Sequence, residues 1–312
     1  MTIFRLPRRT FLAATASSFA AATRMPAETL LQPPSQPSLG FSLYGMKSLT
    51  LDVALKTCAE IGYSHVELSL NPGYVTEPSV FTSDLRRVAA MQLQSLKIGL
   101  PCLMVLMSLT ADDQTHAANL ELIHTAAGLA KELVPDRPPI LETVLGGSPA
   151  MWQNQKAGMA GRLRDWASAA EKAGIVIALK AHVGSAVNAP DRLLWLLDEA
   201  DSPSLQVAYD YSHFELQGID MAESMKLLLP RTRFIHVKDS TGDAAKFRFL
   251  LPGAGRTNYV QYFTLLKEHG YRGPVCVEVS GQVSSQPDYD PIAAARQCYV
   301  ALSKAMSQVF PG

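Results

Sequence analysis

Eight short apolar runs, each followed by a segment with helical spacing, set the strongest limit on how this chain can fold. From Leu39 onward the runs are LGFSLYG (39–45), HVELSL (65–70), LPCLMVLMSL (100–109), PILETVLGG (139–147), IVIALKAH (175–182), LQVAYDYSH (205–213), RFIHVKD (233–239) and VCVEVSG (275–281). Between them lie amphipathic segments such as LDVALKTCAEIG, NLELIHTAAGLAKEL, RLRDWASAAEKAG, PDRLLWLLDEA and YVQYFTLLKEHG. Several close on a glycine, which supplies the left-handed residue that a helix end needs. A last helix, from about Asp290 to Val309, completes the series. Strands that alternate with helices pair in parallel, and eight such units close as an α/β fold, a single-domain (β/α)8 TIM barrel. The open doubly wound sheet would need a glycine-rich dinucleotide fingerprint after its first strand, and none follows LGFSLYG. A chain of 312 residues with 47% hydrophobic content has the length and apolar surface for one large core.

Ahead of the barrel the composition changes twice. Residues 1–22 carry Arg5, Arg8 and Arg9 and then the mildly apolar FLAATASSFAAA, a run too short to span a bilayer. Arg8-Arg9 followed by Thr10, Phe11 and Leu12 resembles a twin-arginine export signal, so the expected location is periplasmic or otherwise exported. An ordinary secretory signal is the alternative. Residues 23–38, TRMPAETLLQPPSQPS, are rich in Pro, Ser and Gln and read as an extended linker, which leaves 39–312 for the barrel.

Charge excludes some partners. The chain has 28 Lys and Arg against 28 Asp and Glu, and removal of the first 22 residues leaves 25 basic against 28 acidic. Nothing in that balance offers the basic face that nucleic acid requires. Cys58, Cys102, Cys276 and Cys298 show no CxxC or metal spacing, and the expectation is buried free thiols.

In barrels of this kind the chemistry sits at the C-terminal ends of the strands. Titratable residues gather there: Glu67, Glu142, Lys180 with His182, Asp210 with His213, His236 with Lys238 and Asp239, and Glu278. Each interrupts or ends an apolar run, where an unpaired charge costs several kcal/mol. Asp, His and Glu are donors suited to Mn²⁺, Mg²⁺, Co²⁺ or Zn²⁺. Glu67, Glu142 and His182 are candidates to bind substrate hydroxyls, Trp152 to form a wall for a sugar ring, and Arg256 to meet an anion. Capping and structural roles are the alternatives for each.

The motifs AYDYSH, FIHVKD, LPGAGRTNY and GYRGPVCVEVSG resemble the sugar isomerase/epimerase superfamily with the xylose-isomerase-like barrel, over residues 39 to 308. That resemblance implies a divalent metal held by Asp210, His236 and Glu278, with His213 and Lys238 facing substrate hydroxyls. It also exposes a departure, because Lys180 stands where the family has a fourth ligand, a glutamate. A protonated lysine has three donors and no lone pair, so it cannot ligate a metal.

Three roles are open to Lys180. It serves as an acid/base group beside a three-ligand metal centre, its pKa lowered by burial and the cation. Alternatively its ammonium replaces the metal and stabilises an enediolate, or it is a structural ion-pair residue in a barrel that only binds sugar. The expected function is an exported sugar isomerase or epimerase acting by proton transfer next to a carbonyl, with Lys180 and Glu278 as the catalytic pair and a divalent metal assisting. A lyase acting on an oxidised glycoside by β-elimination and a non-catalytic carbohydrate-binding barrel are the alternatives. The expected partner is a small sugar or polyol, with no nucleic acid and no membrane span in the mature chain.

Overall fold

The computed structural model describes Met1 and residues 35–311. Residues 35–311 form one compact unit. The expected export segment, 1–22, lies outside the described residues apart from Met1, and so does the linker up to residue 34.

The chain runs β1 (Ser38–Ser42), α1 (Leu51–Ile61), β2 (His65–Ser69), α2 (Ser83–Leu96), β3 (Gly99–Met104), α3 (Asp113–Leu133), β4 (Ile140–Val144), α4 (Trp152–Ala173), β5 (Ile177–Lys180) and α5 (Pro190–Ala200). It continues with β6 (Leu205–Tyr209), α6 (Tyr211–Glu215), α7 (Met221–Leu228), β7 (Thr232–Val237), β8 (Asp239–Gly242), β9 (Phe247–Leu250), α8 (Tyr259–Glu268), β10 (Pro274–Val277), α9 (Gly281–Ser284) and α10 (Pro291–Val309). Strands β1 to β7 and β10 close as a parallel barrel in the order β1-β10-β7-β6-β5-β4-β3-β2, while β8 and β9 form a separate antiparallel pair. All eight expected strands are present, and the fold is the expected TIM barrel.

Helix ends follow their local chemistry. Thr82, Asp112 and Asn258 each accept a backbone N–H at the start of α2, α3 and α8. Asp290 does so for α10, with Pro291 in the first turn. The apolar runs overshoot the strands, however. Tyr44 falls in a 3-10 turn after β1, and the run 100–109 stops pairing at Met104. Asp210 turns the chain into α6 by accepting from the Ser212 N–H.

Alternation along the strands divides the core. Leu39, Phe41, Val66 and Leu68 belong to the main core that the helices cover. Cys102, Phe234 and Cys276, with Ile140, form a small cluster of their own inside the barrel. All four cysteines are free and buried, as expected. The charged residues lie above this plug, toward the strands' C-terminal ends. Among the described residues, no helix is long and apolar enough to cross a membrane.

Candidate active site at the mouth of the barrel

Depth along each strand decides what a polar residue can reach. Lys180 is the last residue of β5, and Asp210, Lys238 and Glu278 immediately follow β6, β7 and β10. Glu67 and Glu142 are the middle residues of β2 and β4, one layer deeper, and both are fully buried.

Lys180 is held by three elements at once. Its Nζ donates to Nδ1 of His236 at 3.0 Å and to Oε1 of Glu278 at 3.1 Å. It also lies 3.0 Å from Oε1 of Glu142, a charge contact off the hydrogen-bonding direction. His236 is gripped from the other side, where Nε2 meets Oε2 of Glu67 at 2.9 Å. Glu67 in turn accepts from Ser42 Oγ. Because an ammonium only donates, Nδ1 of His236 is the acceptor and Nε2 carries the proton toward Glu67.

Lys238 forms the second half of the network. Its Nζ donates to Oδ2 of Asp210 and to Oε2 of Glu278, so Glu278 bridges both ammoniums. Ser212 Oγ donates to the other Asp210 oxygen at 2.7 Å. His213 accepts the Val183 N–H on Nδ1 at 3.3 Å, which leaves Nε2 protonated and facing Asp210 Oδ2 at 3.4 Å. His182 follows the same pattern, with Nδ1 accepting the Gly184 N–H at 3.1 Å, and its ring centre lies 4.2 Å from that of His213. Both histidines therefore present an Nε2–H donor.

Electrostatics fixes the charge states. Burial alone would lower the Lys180 pKa, but Glu142, Glu278, Asp210 and Glu67 more than reverse it, and the pKa lies well above the ordinary lysine value. The lowered pKa expected for a lysine base is thus not found, because carboxylates surround the ammonium. Glu278 and Asp210 are pushed up by burial and pulled further down by the lysines, ending well below the usual carboxylate range. Glu142 is shifted the other way, upward from its ordinary value, because burial outweighs Lys180 and His236. Burial lowers His182 to about 2 and His213 to about 4, so both are neutral near pH 7.

These groups open on a cavity of about 420 Å³ lined by Lys180, His182, His213, Lys238 and Glu278. Its walls include Tyr44, stacked on Tyr74, and Phe249, edge-on to His213. Gly146 and Gly147 form part of the rim at φ +75° and +72°. A side chain at Gly146 would meet Ser108 Oγ at 2.0 Å. Glu278 is the only carboxylate among the described residues that line this cavity. A larger groove of about 760 Å³, beside α2 and the end of α3, has no comparable buried cluster.

Four expectations change. Glu67 and Glu142 do not line the cavity, because they sit a layer below and hold His236 and Lys180. Trp152 is buried edge-on against Trp195, away from the cavity. Arg256 does not line the cavity and instead binds the Glu215 carbonyl and lies against its carboxylate. Asp239 secures the LPGAGRTNY loop by accepting the N–H groups of Gly253, Gly255 and Thr257. Tyr44 and Phe249 are the wall residues that the sequence reading missed. The only signals were the turn at Gly242-Asp243 before KFRFL and a tyrosine at the end of the first apolar run.

Two groups of side chains among the described residues bring metal-ligand atoms within 4.8 Å of one another: Glu67, His236 and Cys276, and Asp210, His213 and Glu278. In the first, His236 Nε2 is already bonded to Glu67, and burial first, then Glu67, raises the Cys276 thiol well above its ordinary pKa. In the second, the Lys238 ammonium contacts both carboxylates and His213 Nε2 carries a proton. The expected set of Asp210, His236 and Glu278 has the right donor types, but each member has an ammonium against it. As arranged, these residues do not fit a divalent ion.

A model of the family described as xylose isomerase-like TIM barrel matches residues 55–298. An inosose dehydratase of Geobacillus kaustophilus (strain HTA426) is 24% identical over 185 residues, which cover 54% of this chain and 56% of that protein. The chain thus spans little more than half the length of this curated relative. Among solved structures, the IolI protein with a bound zinc atom superposes with a TM-score of 0.75 at 18% identity, over 88% of this chain and all (100%) of the other. The apo 3-keto-D-glucoside 4-epimerase YcjR of E. coli superposes at 0.68 with 14% identity, over 86% of this chain and 100% of the other.

Proposed function

Because the chain belongs to the xylose isomerase-like TIM-barrel family, we propose that it moves a proton next to the carbonyl of a sugar or polyol, as an isomerase does. The observation that carries this reading is the pairing of one cavity-facing carboxylate, Glu278, with two ammonium groups bonded to it. A carbonyl oxygen directed at Lys180 and Lys238 has donors where negative charge develops. Glu278 then takes the hydrogen from the adjacent carbon, the C–H electron pair enters the new C=C bond, and the carbonyl oxygen becomes an enediolate oxygen. The proton of the hydroxyl on the carbon that lost its hydrogen passes to that enediolate oxygen, and Glu278 returns its own proton to the former carbonyl carbon, which completes an aldose–ketose isomerisation.

The ammoniums act on both partners. They make Glu278 a weak base, and they lower the energy of the enediolate it must form. A preorganised donor of this kind contributes about 10² to 10³ in rate, and a positioned base about 10² to 10⁴. His182, neutral and protonated on Nε2, donates to a hydroxyl, while Tyr44 and Phe249 supply apolar walls. Epimerisation by two opposed carboxylates gains no support, since a second carboxylate is missing from the described lining. No step is routed through a metal, although relatives of this fold include a zinc-bound protein.

Elimination is the second reading. The same enolate can expel a β-hydroxyl if an acid protonates it, and Glu278, which carries the abstracted proton, lines the cavity with His182. The dehydratase name of a relative favours testing it. We also propose that the protein is exported, a reading supported by the twin-arginine-like Arg8-Arg9-Thr10-Phe11-Leu12.

The test is a panel of aldoses, ketoses, keto-glycosides and inososes incubated in deuterated water. Deuterium entering one carbon next to the carbonyl, with mass otherwise conserved, supports the isomerase. Loss of water or of an aglycone selects the elimination. Binding without exchange on any compound would leave a carbohydrate-binding barrel in place of an enzyme.

A further inference from the structure

We infer that the ammonium groups of Lys180 and Lys238 together occupy the place a divalent cation would take, so that this barrel runs its enolising chemistry on a metal-free, two-ammonium centre. The inference rests on the proton-transfer reading above and specifies its electrophile.

His236 carries the argument furthest. Its Nε2–H is committed to Glu67 at 2.9 Å, the arrangement that orients a histidine for metal binding by leaving the other nitrogen's lone pair free. That lone pair does not point into open space but accepts from Lys180 at 3.0 Å. The same ammonium takes Oε1 of Glu278 and the charge of Glu142, so three groups of metal-ligand type surround it. Lys238 does the same for Asp210 and for the second oxygen of Glu278. Each of the three expected ligands, Asp210, His236 and Glu278, is therefore paired with a lysine nitrogen.

Charge agrees with geometry. Glu278 faces both ammoniums and Asp210 faces one. A divalent ion placed among these groups would stand in contact with two cations. Both lysines are almost fully buried, at 2% and 4% exposure, so neither can swing into solvent without leaving a carboxylate bare. Lysine is the electrophile such a site allows, because it adds positive charge without a lone pair or an empty coordination position.

The inference makes Lys180 the residue that excludes the metal. Replacing it by glutamate removes a cation and adds a donor beside Glu142, His236 and Glu278. The experiment titrates MnCl₂ and ZnCl₂ into the chelator-treated full-length protein and its Lys180→Glu variant, following binding by calorimetry and bound ion by elemental analysis. The expected result is no stoichiometric ion in the parent and one ion in Lys180→Glu, bound at least about 100-fold more tightly. Near-stoichiometric metal in the parent, lost in Asp210→Asn, would overturn the inference, and so would a folded Lys180→Glu that takes up none.

If Lys180→Glu does not fold, the parent decides by nitrogen NMR. Two slowly exchanging lysine ammonium signals that added Mn²⁺ leaves sharp support the inference, and their paramagnetic broadening overturns it. None of these readouts uses turnover. A failure to find any exchanging sugar would count against the proposed function alone, and metal in the parent would count against this inference alone.

Discussion

Lys180, at the end of β5, donates to Nδ1 of His236 on β7 at 3.0 Å, and on the far side of that ring Nε2 meets Glu67 at 2.9 Å. A chain of hydrogen bonds thus crosses the barrel from a lysine exposed to the cavity to a carboxylate sealed beneath it. What each residue does depends on its height in that chain. Residues at strand ends face substrate, and those one layer down set the charge and orientation of the residues above.

Removing the Lys180 ammonium should cost stability as well as activity. Lys180→Met keeps the length of the side chain but leaves Glu142 and Glu278 without a cation, and breaking a buried pair in this way costs about 3–5 kcal/mol. Denaturant unfolding measures the loss. Lys180→Met combined with Glu142→Gln should lose less than the two single changes added together, because the second change removes the carboxylate the first has stranded.

Phe249 tests the cavity wall. It lines the site from β9 and packs edge-on to His213, with the Lys238 ammonium 5.0 Å from its ring centre. Phe249→Ala should raise KM by about tenfold with a smaller change in kcat, since a ring that packs on substrate binds ground and transition states alike. Steady-state kinetics on an exchanging sugar checks the split.

His65 gives the fold an acid limit. It lies at the opposite end of the barrel from the site, its ring filling the space that a side chain at Gly40 would occupy, 2.1 Å from the nearest ring atom. Burial lowers its pKa to about 3, against about 6.5 in the unfolded chain. The folded protein therefore favours neutral His65. Its contribution to stability is constant above about pH 6.5 and is lost as pH falls toward 3, at up to about 1.4 kcal/mol per pH unit. Denaturation midpoints from pH 7 to 4 should fall in the parent and fall less steeply in His65→Asn.

The strand pattern carried most of the architecture, since eight apolar runs leave few ways to close a parallel sheet. It also exposed Lys180, Asp210, Lys238 and Glu278, because each ends or follows a strand. Register was harder to read. Glu67 and Glu142 look like the others in sequence, yet each is the centre of a five-residue strand and so falls below the cavity floor. Tyr44 was hidden inside an apolar run whose last residues curl into a 3-10 turn. Phe249 was hidden because the β8–β9 hairpin is an insertion outside the strand-helix repeat. Trp152 and Arg256 misled for the opposite reason, because loop position implied exposure to a ligand, whereas local partners in the fold occupy both.

The central claim is that Glu278 and two ammoniums move a proton without a metal ion. The most direct measurement is solvent deuterium exchange, followed by proton NMR, for a reactive sugar with protein stripped by a chelator and shown to be metal-free. Exchange that continues at the untreated rate, and drops by at least about 10²-fold in Glu278→Gln, is the predicted result. Exchange that stops on stripping and returns with Mn²⁺ or Zn²⁺ would contradict it.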